Sequence, residues 1–195
     1  MENYQAIVIG TSAGGFHAMK RLLSRLQGGL QVPIIIVQHL PNRSNDSMIK
    51  LLGEVSQLAV KEAEDKEPIV AGTAYLCPPN YHLLVEMERC FTLSAEPKVN
   101  YSRPSIDVLF ESAAEVYQQG LIGVVMTGAN ADGSAGLKMI KEYGGMAIVQ
   151  DLKEADHLEM PMAAGEAVTV DAMLSLDDMA IFFNSLFAKA RTKHG

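Results

Sequence analysis

Cysteine, tryptophan and basic charge are all scarce in this chain. It has two cysteines, Cys77 and Cys90, no tryptophan, and only 6% aromatic residues among 195. Two cysteines exclude a disulfide-stapled scaffold, which packs many into a short secreted chain. Both sit in apolar, strand-like runs. A single disulfide and two buried thiols are both open readings, and two thiols in a reducing compartment is the plainer one. Lysine and arginine number 16 against 23 acidic residues, a formal net charge of -7. The basic residues are scattered, which argues against nucleic-acid binding, since phosphate contact needs clustered positive charge. The one dense charge cluster, Lys61 to Glu67, mixes signs and reads as a solvated loop or strand edge. Long apolar runs are missing too. The longest, around Val32 to Val37, is far too short to span a bilayer. Glu2 and the lack of a basic N-terminal region do not fit a secretory signal. By elimination the expected location is the cytoplasm, with no integral membrane segment.

Hydrophobic residues make up 48% and charged residues 20% of the chain, a globular composition. There is no repeat, low-complexity tract or linker, so residues 1–195 are expected to form one domain. A chain of this length can bury roughly 70% of the surface it exposes when unfolded, so its core needs no staples.

The apolar pattern alternates between two periods. Ala6 to Ile9 is a continuous run ending at Gly10, as in a strand buried on both faces. Phe16 to Leu26 has a helical spacing, stopped by Gly28 and Gly29. Val32 to Val37 is a second buried strand whose extension ends at Pro41, and Ser44 or Asn45 could cap a helix carrying Met48, Ile49, Leu51 and Leu52. In the middle, Leu58 to Ala63, Thr73 to Cys77, His82 to Glu88 and Cys90 to Ser94 read as short strands punctuated by Gly72, Pro78, Pro79 and Asn80. They are expected to form antiparallel hairpins on the sheet edge. Alternation then resumes: a helix entered through Ser102 and Pro104 and running to Gly120, a strand from Leu121 to Met126, a helix from Ser134 to Tyr143, a strand from Met146 to Gln150, and a last helix opened by Asp177. Repeated strand–helix–strand units predict an α/β fold, a doubly wound, mostly parallel sheet with helices on both faces. Such sheets bind ligands at the carboxyl ends of their strands, which directs attention to three loops.

The first loop is Gly10-Thr11-Ser12-Ala13-Gly14-Gly15, between a strand and a helix. Glycines allow a sharp turn with exposed N–H groups, and the helix N-terminus favours developing negative charge. Ser12 there is a candidate nucleophile. A nucleotide-binding loop is the rival reading. The spacing is not G-x-G-x-x-G, no G-K-[ST] follows, and the second strand ends in Gln38-His39 rather than an acidic residue. Spacing alone supports the two readings about equally. The second loop, Gln38-His39-Leu40-Pro41, offers His39 as a general base. A lone histidine at a strand end more often serves only as a hydrogen-bonding group, but neighbouring first and second strands would bring this one to the Ser12 loop. His17, His82, His157 and His194 are less well placed. The third loop, Thr127-Gly128-Ala129-Asn130-Ala131-Asp132-Gly133, carries a carboxylate that could orient a histidine. Taken alone, Asp132 reads better as the cap of the helix starting at Ser134. Its convergence with Ser12 and His39 favours a triad. Gly10-Thr11-Ser12-Ala13-Gly14 also fits a G-x-S-x-G elbow loosely, although at the first strand.

These residues resemble the CheB-type protein-glutamate methylesterases of bacterial chemotaxis over roughly residues 5 to 188. The resemblance rests on Ile9 to Gly15, Gln38 to Pro41, Val60 to Asp65, Arg103 to Phe110, Thr127-Gly128, Asp132-Gly133, Gly136, Gln150-Asp151 and Met160-Pro161. It implies a three-layer α/β fold with one antiparallel hairpin region. It also implies hydrolysis of glutamate γ-methyl esters on chemoreceptor signalling helices, with deamidation of certain glutamines. The family's triad maps onto Ser12, His39 and Asp132, and the backbone N–H groups of Ala13 and Ala129 are the candidate oxyanion donors. The reading calls for no metal and no cofactor. Two departures touch the site. Ala13 stands where the family commonly has Thr, and Gly128-Ala129-Asn130-Ala131-Asp132-Gly133 stands where it commonly has Gly-Met-Gly-Asn-Asp-Gly. Well-known members carry an N-terminal receiver domain. If Met1 is the natural start, none precedes this catalytic region and the site is expected to be permanently open. The competing readings are a non-catalytic module binding receptor helices or a partner, an esterase for another ester, and a nucleotide-binding protein.

Overall fold

The computed structural model describes residues 4–39 and 44–188. The expected strand end at Leu40 and Pro41 and the histidine at position 194 lie outside them. The elements in chain order are β1 (Ala6–Thr11), α1 (Gly15–Arg25), β2 (Ile34–Gln38), α2 (Asp46–Val55), β3 (Ala59–Glu62), β4 (Thr73–Leu76), β5 (His82–Val85), β6 (Phe91–Ser94), α3 (Ile106–Tyr117), β7 (Leu121–Val125), α4 (Ser134–Glu142), β8 (Met146–Gln150), α5 (Glu159–Ala167), β9 (Ala172–Leu174) and α6 (Leu176–Ala188).

Seven strands form one parallel sheet in the order β3-β4-β2-β1-β7-β8-β9. Side chains on its central strands alternate between two cores, as the period of a strand demands. Ile7, Ile9, Ile34 and Ile36 pack on one face with Leu22 and Leu23 of α1, Leu52 of α2 and Phe183 of α6. Ala6, Val8, Ile35 and Val37 pack on the other with Leu109 and Phe110 of α3, Leu137 of α4 and Met160 of α5. The result is a three-layer, doubly wound sheet. β1 hands the chain to β2 on one side, while β7, its other neighbour, hands it to β8 in the opposite direction. The switch point therefore lies between β1 and β7, where the rule for open sheets places a ligand crevice.

The middle of the chain corrects one expectation. β3 and β4 are not an edge hairpin; both run parallel within the main sheet, with Ala59 to Glu62 registered on Thr73 to Leu76. Among the strands of the described residues only β5 and β6 pair antiparallel, and they form a separate two-stranded sheet. Gly and Pro mark where a chain turns, not which way the next strand runs. The segment joining β3 to β4 passes instead by the small sheet, where Pro68 bridges Cys90. α5 and β9 had no counterpart in the sequence reading. Within α5 only Met160, Pro161 and Ala164 are buried, and β9 is a three-residue edge strand with no buried position. Those patterns carry almost no periodic signal.

Smaller differences have local causes. α3 starts at Ile106 because Ser105 is still extended. Asn45 does precede α2, but its amide is spent on Glu62 and the Cys77 carbonyl, and the Ser44 hydroxyl accepts the Asp46 N–H instead. Cys77 is a buried free thiol and Cys90 a half-buried one, so only the first is fully in the core. Lys61 of β3 bridges Glu64 and Glu67 at 2.8 and 2.6 Å, a partly exposed strand-edge network.

Candidate active site

The three loops converge. Thr11 pairs with Gln38 in the β1–β2 register, so Ser12 and His39 are the next residues on adjacent parallel strands, where neighbours run about 4.8 Å apart. The His39 N–H donates to the Thr11 carbonyl at 3.0 Å, and the Gln38 amide donates to the Ser12 and His39 carbonyls at 2.8 Å each. Across the switch point the Ser12 N–H donates to the Thr127 carbonyl at 3.0 Å. The Thr127 hydroxyl donates to the Ala13 carbonyl and accepts the His157 N–H, both at 2.9 Å. One threonine thus ties the Ser12 loop, the β7 loop and the segment leading to α5.

Two glycines make the Ser12 turn possible. Gly14 has φ +79, a left-handed conformation that costs a residue with a Cβ. A Cβ on Gly10 would lie 2.3 Å from Ile106 Cγ2, so Gly10 lets the first turn of α3 reach the end of β1.

His39 Nε2 and Asp132 Oδ2 are 2.8 Å apart. Asp132 is buried and surrounded by donors. Its Oδ2 also accepts the Ile106 N–H at 2.7 Å, while Oδ1 accepts the Ser105 hydroxyl at 2.8 Å and the Asp107 N–H at 3.2 Å. Burial alone would push its carboxyl up. The His39 bond, the Ile106 N–H and the Ser105 hydroxyl outweigh that and hold it below the ordinary carboxylate range. Asp132 therefore does cap a helix, but not the one that follows it. Gly133 occupies the cap position of α4, and Asp132 reaches across to the N-terminus of α3, where the macrodipole favours a negative charge.

His39 Nδ1 lies 3.2 Å from the Asn130 amide nitrogen, and Asn130 Oδ1 accepts the Asp132 N–H at 3.0 Å. That second bond sets the amide's orientation, so the nitrogen end faces the ring as donor. The tautomer follows: Nδ1 accepts, and Nε2–H donates to Asp132. The Ser12 hydroxyl makes no hydrogen bond among the described residues; the structure joins His39 to Asp132 and sets Ser12 beside them at the same rim.

Family comparisons agree with this architecture. The CheB methylesterase family model matches residues 7–182. The chain belongs to the CheB methylesterase family, whose members are ester hydrolases. A Leptospira interrogans protein provisionally named protein-glutamate methylesterase/protein-glutamine glutaminase is 52% identical over 181 residues, covering 93% of this chain and 94% of that one. A Geobacillus kaustophilus protein-glutamate methylesterase/protein-glutamine glutaminase is 41% identical over 182 residues, covering 90% of this chain and 52% of its own length. The chain thus spans nearly all of one relative and about half of the other. The crystal structure of the Thermotoga maritima CheB methylesterase catalytic domain superposes with a TM-score of 0.90 at 32% identity, covering 94% of this chain and 98% of that one.

The two candidate oxyanion donors sit on opposite sides of the switch point. Ala13 is half-buried and Ala129 exposed, and among the described residues neither N–H donates to a protein acceptor. Other histidines are placed elsewhere. His17 is exposed on α1, while buried His82 bonds the Pro97 carbonyl and accepts the Ser105 N–H. No group of three or more His, Cys, Asp or Glu among the described residues could hold a metal ion. No helix there is long and apolar enough to cross a membrane. Sequence reasoning passed over Ser105, Asp107, Asn100 and Asn130. All four stand in or beside segments it had marked, but their role depends on contacts 25 to 32 residues away from Asp132 or 91 from His39.

Proposed function

We propose that this chain hydrolyses γ-methyl esters of protein glutamates, and deamidates protein glutamines, through a triad of Ser12, His39 and Asp132. Methylated chemoreceptor helices are the substrate class that the family resemblance implies. The observation that carries the reading is the 2.8 Å contact between His39 Nε2 and a buried, ionised Asp132. With Nε2–H committed to the carboxylate, the basic lone pair belongs to Nδ1.

Ser12 Oγ attacks the ester carbonyl while its proton passes to Nδ1. The imidazolium is stabilised by Asp132, which stays ionised. The tetrahedral oxyanion is held by the N–H groups of Ala13 and Ala129, and losing one such donor costs on the order of 10² to 10³ in turnover. Collapse expels methoxide, which takes the Nδ1 proton and leaves as methanol. Water, deprotonated by the same nitrogen, then attacks the acyl-Ser12 ester and releases a glutamate side chain with Ser12 restored. With a glutamine substrate the same steps expel ammonia.

A fluorophosphonate probe should label Ser12, and Ser12→Ala should remove the label. His39→Ala should slow labelling by roughly 10³-fold or more. Methanol release from methylated receptor membranes should depend on both residues. A well-folded protein that takes no label and releases no methanol would instead be a binding module on this fold.

A further inference from the structure

Asn130 is a group the triad does not require, yet it occupies the nitrogen the triad needs. We infer that Asn130 is a positioning residue that latches the base: its carboxamide holds His39 Nδ1 in the resting enzyme and yields that nitrogen to Ser12 when substrate enters. The inference rests on the triad reading above.

The geometry is a closed ring of three hydrogen bonds. Asn130 Nδ2 donates to His39 Nδ1 at 3.2 Å, His39 Nε2 donates to Asp132 Oδ2 at 2.8 Å, and the Asp132 N–H donates back to Asn130 Oδ1 at 3.0 Å. Each member fixes the next. The backbone bond from Asp132 keeps the amide from turning its oxygen toward the ring, so only one histidine tautomer closes the circuit. Both ring nitrogens are thus taken by Asp132 and Asn130, and among the described residues the Ser12 hydroxyl bonds neither. The nucleophile is therefore unactivated until the amide moves off.

Motion of the amide is inexpensive. Asn130 is half-exposed in a loop beside exposed Ala129 and Ala131, and its bond to Nδ1 is the longest of the three. The two bonds use opposite ends of the amide, so yielding Nδ1 forfeits only the Nδ2 bond, a bias of roughly fivefold for one neutral hydrogen bond near the surface. Asp132, far better held, stays in place and keeps the ring oriented. The latch thus delays the nucleophile without disturbing the pair that drives it.

A donor on Nδ1 can bond only the unprotonated ring, because protonation consumes the lone pair it uses. Among the described residues, the charged groups linked to the ring are Asp132, bonded to it, and Asp107 on α3, bonded to Asn100, which also reaches Asp132. Asp156 lies across the Ser12 loop, against Gly14. Asn130→Ala leaves these groups as they are, whereas Asn130→Asp adds one carboxylate beside Nδ1.

The test follows fluorophosphonate labelling of Ser12 against pH in the parent, Asn130→Ala and the isosteric Asn130→Asp, with Ser12→Ala as control. Asn130→Ala should move the acid limb of the labelling rate up by about half to one pH unit. Above that limb it should label at least as fast as the parent. Asn130→Asp keeps the acceptor for the Asp132 N–H but lacks the donor, and should move the limb further. Nitrogen-15 NMR of the parent's histidines should show His39 protonated at Nε2, with Nδ1 accepting a hydrogen bond. That measurement needs no variant. An unmoved limb in both variants, a plateau at least tenfold slower in Asn130→Ala, or a ring protonated at Nδ1 would overturn the latch. Parent labelling that survives in Ser12→Ala, or no labelling in any variant, would instead sink the triad reading beneath it.

Discussion

Two buried aspartates stand side by side at the start of α3, and their surroundings push them in opposite directions. Asp132 is 2% exposed and Asp107 4%, and the N–H of Asp107 itself donates to Asp132. Asp132 has a histidine to pair with and is held ionised. Among the described residues Asp107 has neutral partners: the Gly136 N–H of α4 at 2.7 Å, the Asn100 amide at 2.8 Å and the Gly133 N–H. Burial dominates there, with Asp132 nearby as a like charge, and its carboxyl is pushed up to about 6. Equal burial thus yields two chemistries, because desolvation penalises a charge unless an opposite or strongly donating partner offsets it. The first carboxylate is fit to steady an imidazolium. The second is a strut joining α3 to α4.

Substitution should separate the two most sharply in activity. Asp132→Asn is expected to lower kcat for ester hydrolysis by on the order of 10³ to 10⁴, since an amide cannot stabilise the imidazolium or hold the required tautomer. Asp107→Asn should stay within about tenfold of the parent. Comparable losses in steady-state assays on the two variants would erase the distinction.

Stability comes next. Asp132→Ala leaves the Ser105 hydroxyl and the Ile106 and Asp107 N–H groups without their acceptor, and should cost about 3 kcal/mol or more in urea unfolding.

The pH dependence of stability should carry opposite signs. For Asp107 the folded carboxyl binds protons more tightly than the unfolded one. The folded state therefore holds more protons between about pH 4 and pH 6, and stability falls as pH rises through that window. For Asp132 the folded carboxyl binds protons less tightly, so its contribution is present above the ordinary carboxylate range and is lost on acidification below it. Asp107→Asn should flatten the slope between pH 4 and 6, an effect on the order of 1–3 kcal/mol. An unchanged slope in that variant would show that Asp107 is not its source.

The smallest expected effect is at Ser105. Its hydroxyl is one of several donors to Asp132, so Ser105→Ala should cost about 1 kcal/mol and lower activity several-fold. Its acid unfolding should also begin at slightly higher pH.

Much of the fold was legible because buried parallel strands advertise themselves. Ala6–Thr11, Ile34–Gln38, Leu121–Val125 and Met146–Gln150 are mostly apolar on both faces, and the first three are followed by glycine or proline turn signals before a helix. Their carboxyl ends exposed Ser12, His39 and Asp132 as candidates. The direction of β3 against β4 was not legible, since strand polarity follows from where the connection packs. β9 was silent for a different reason: a short, half-exposed edge strand needs no apolar pattern. Asp132 shows the limit most clearly. Read locally it was the cap of its own helix, and only the folded chain turns its carboxylate toward the N-terminus of another.

Residue order by itself determined the layered α/β class and the three loops that meet at one rim, because periodicity and turn chemistry are local properties. Tertiary structure alone decided which nitrogen of His39 faces the carboxylate, which aspartate keeps its charge and which amide lies against the other ring nitrogen. Those choices depend on distances between groups far apart in the chain, and no local pattern records a distance.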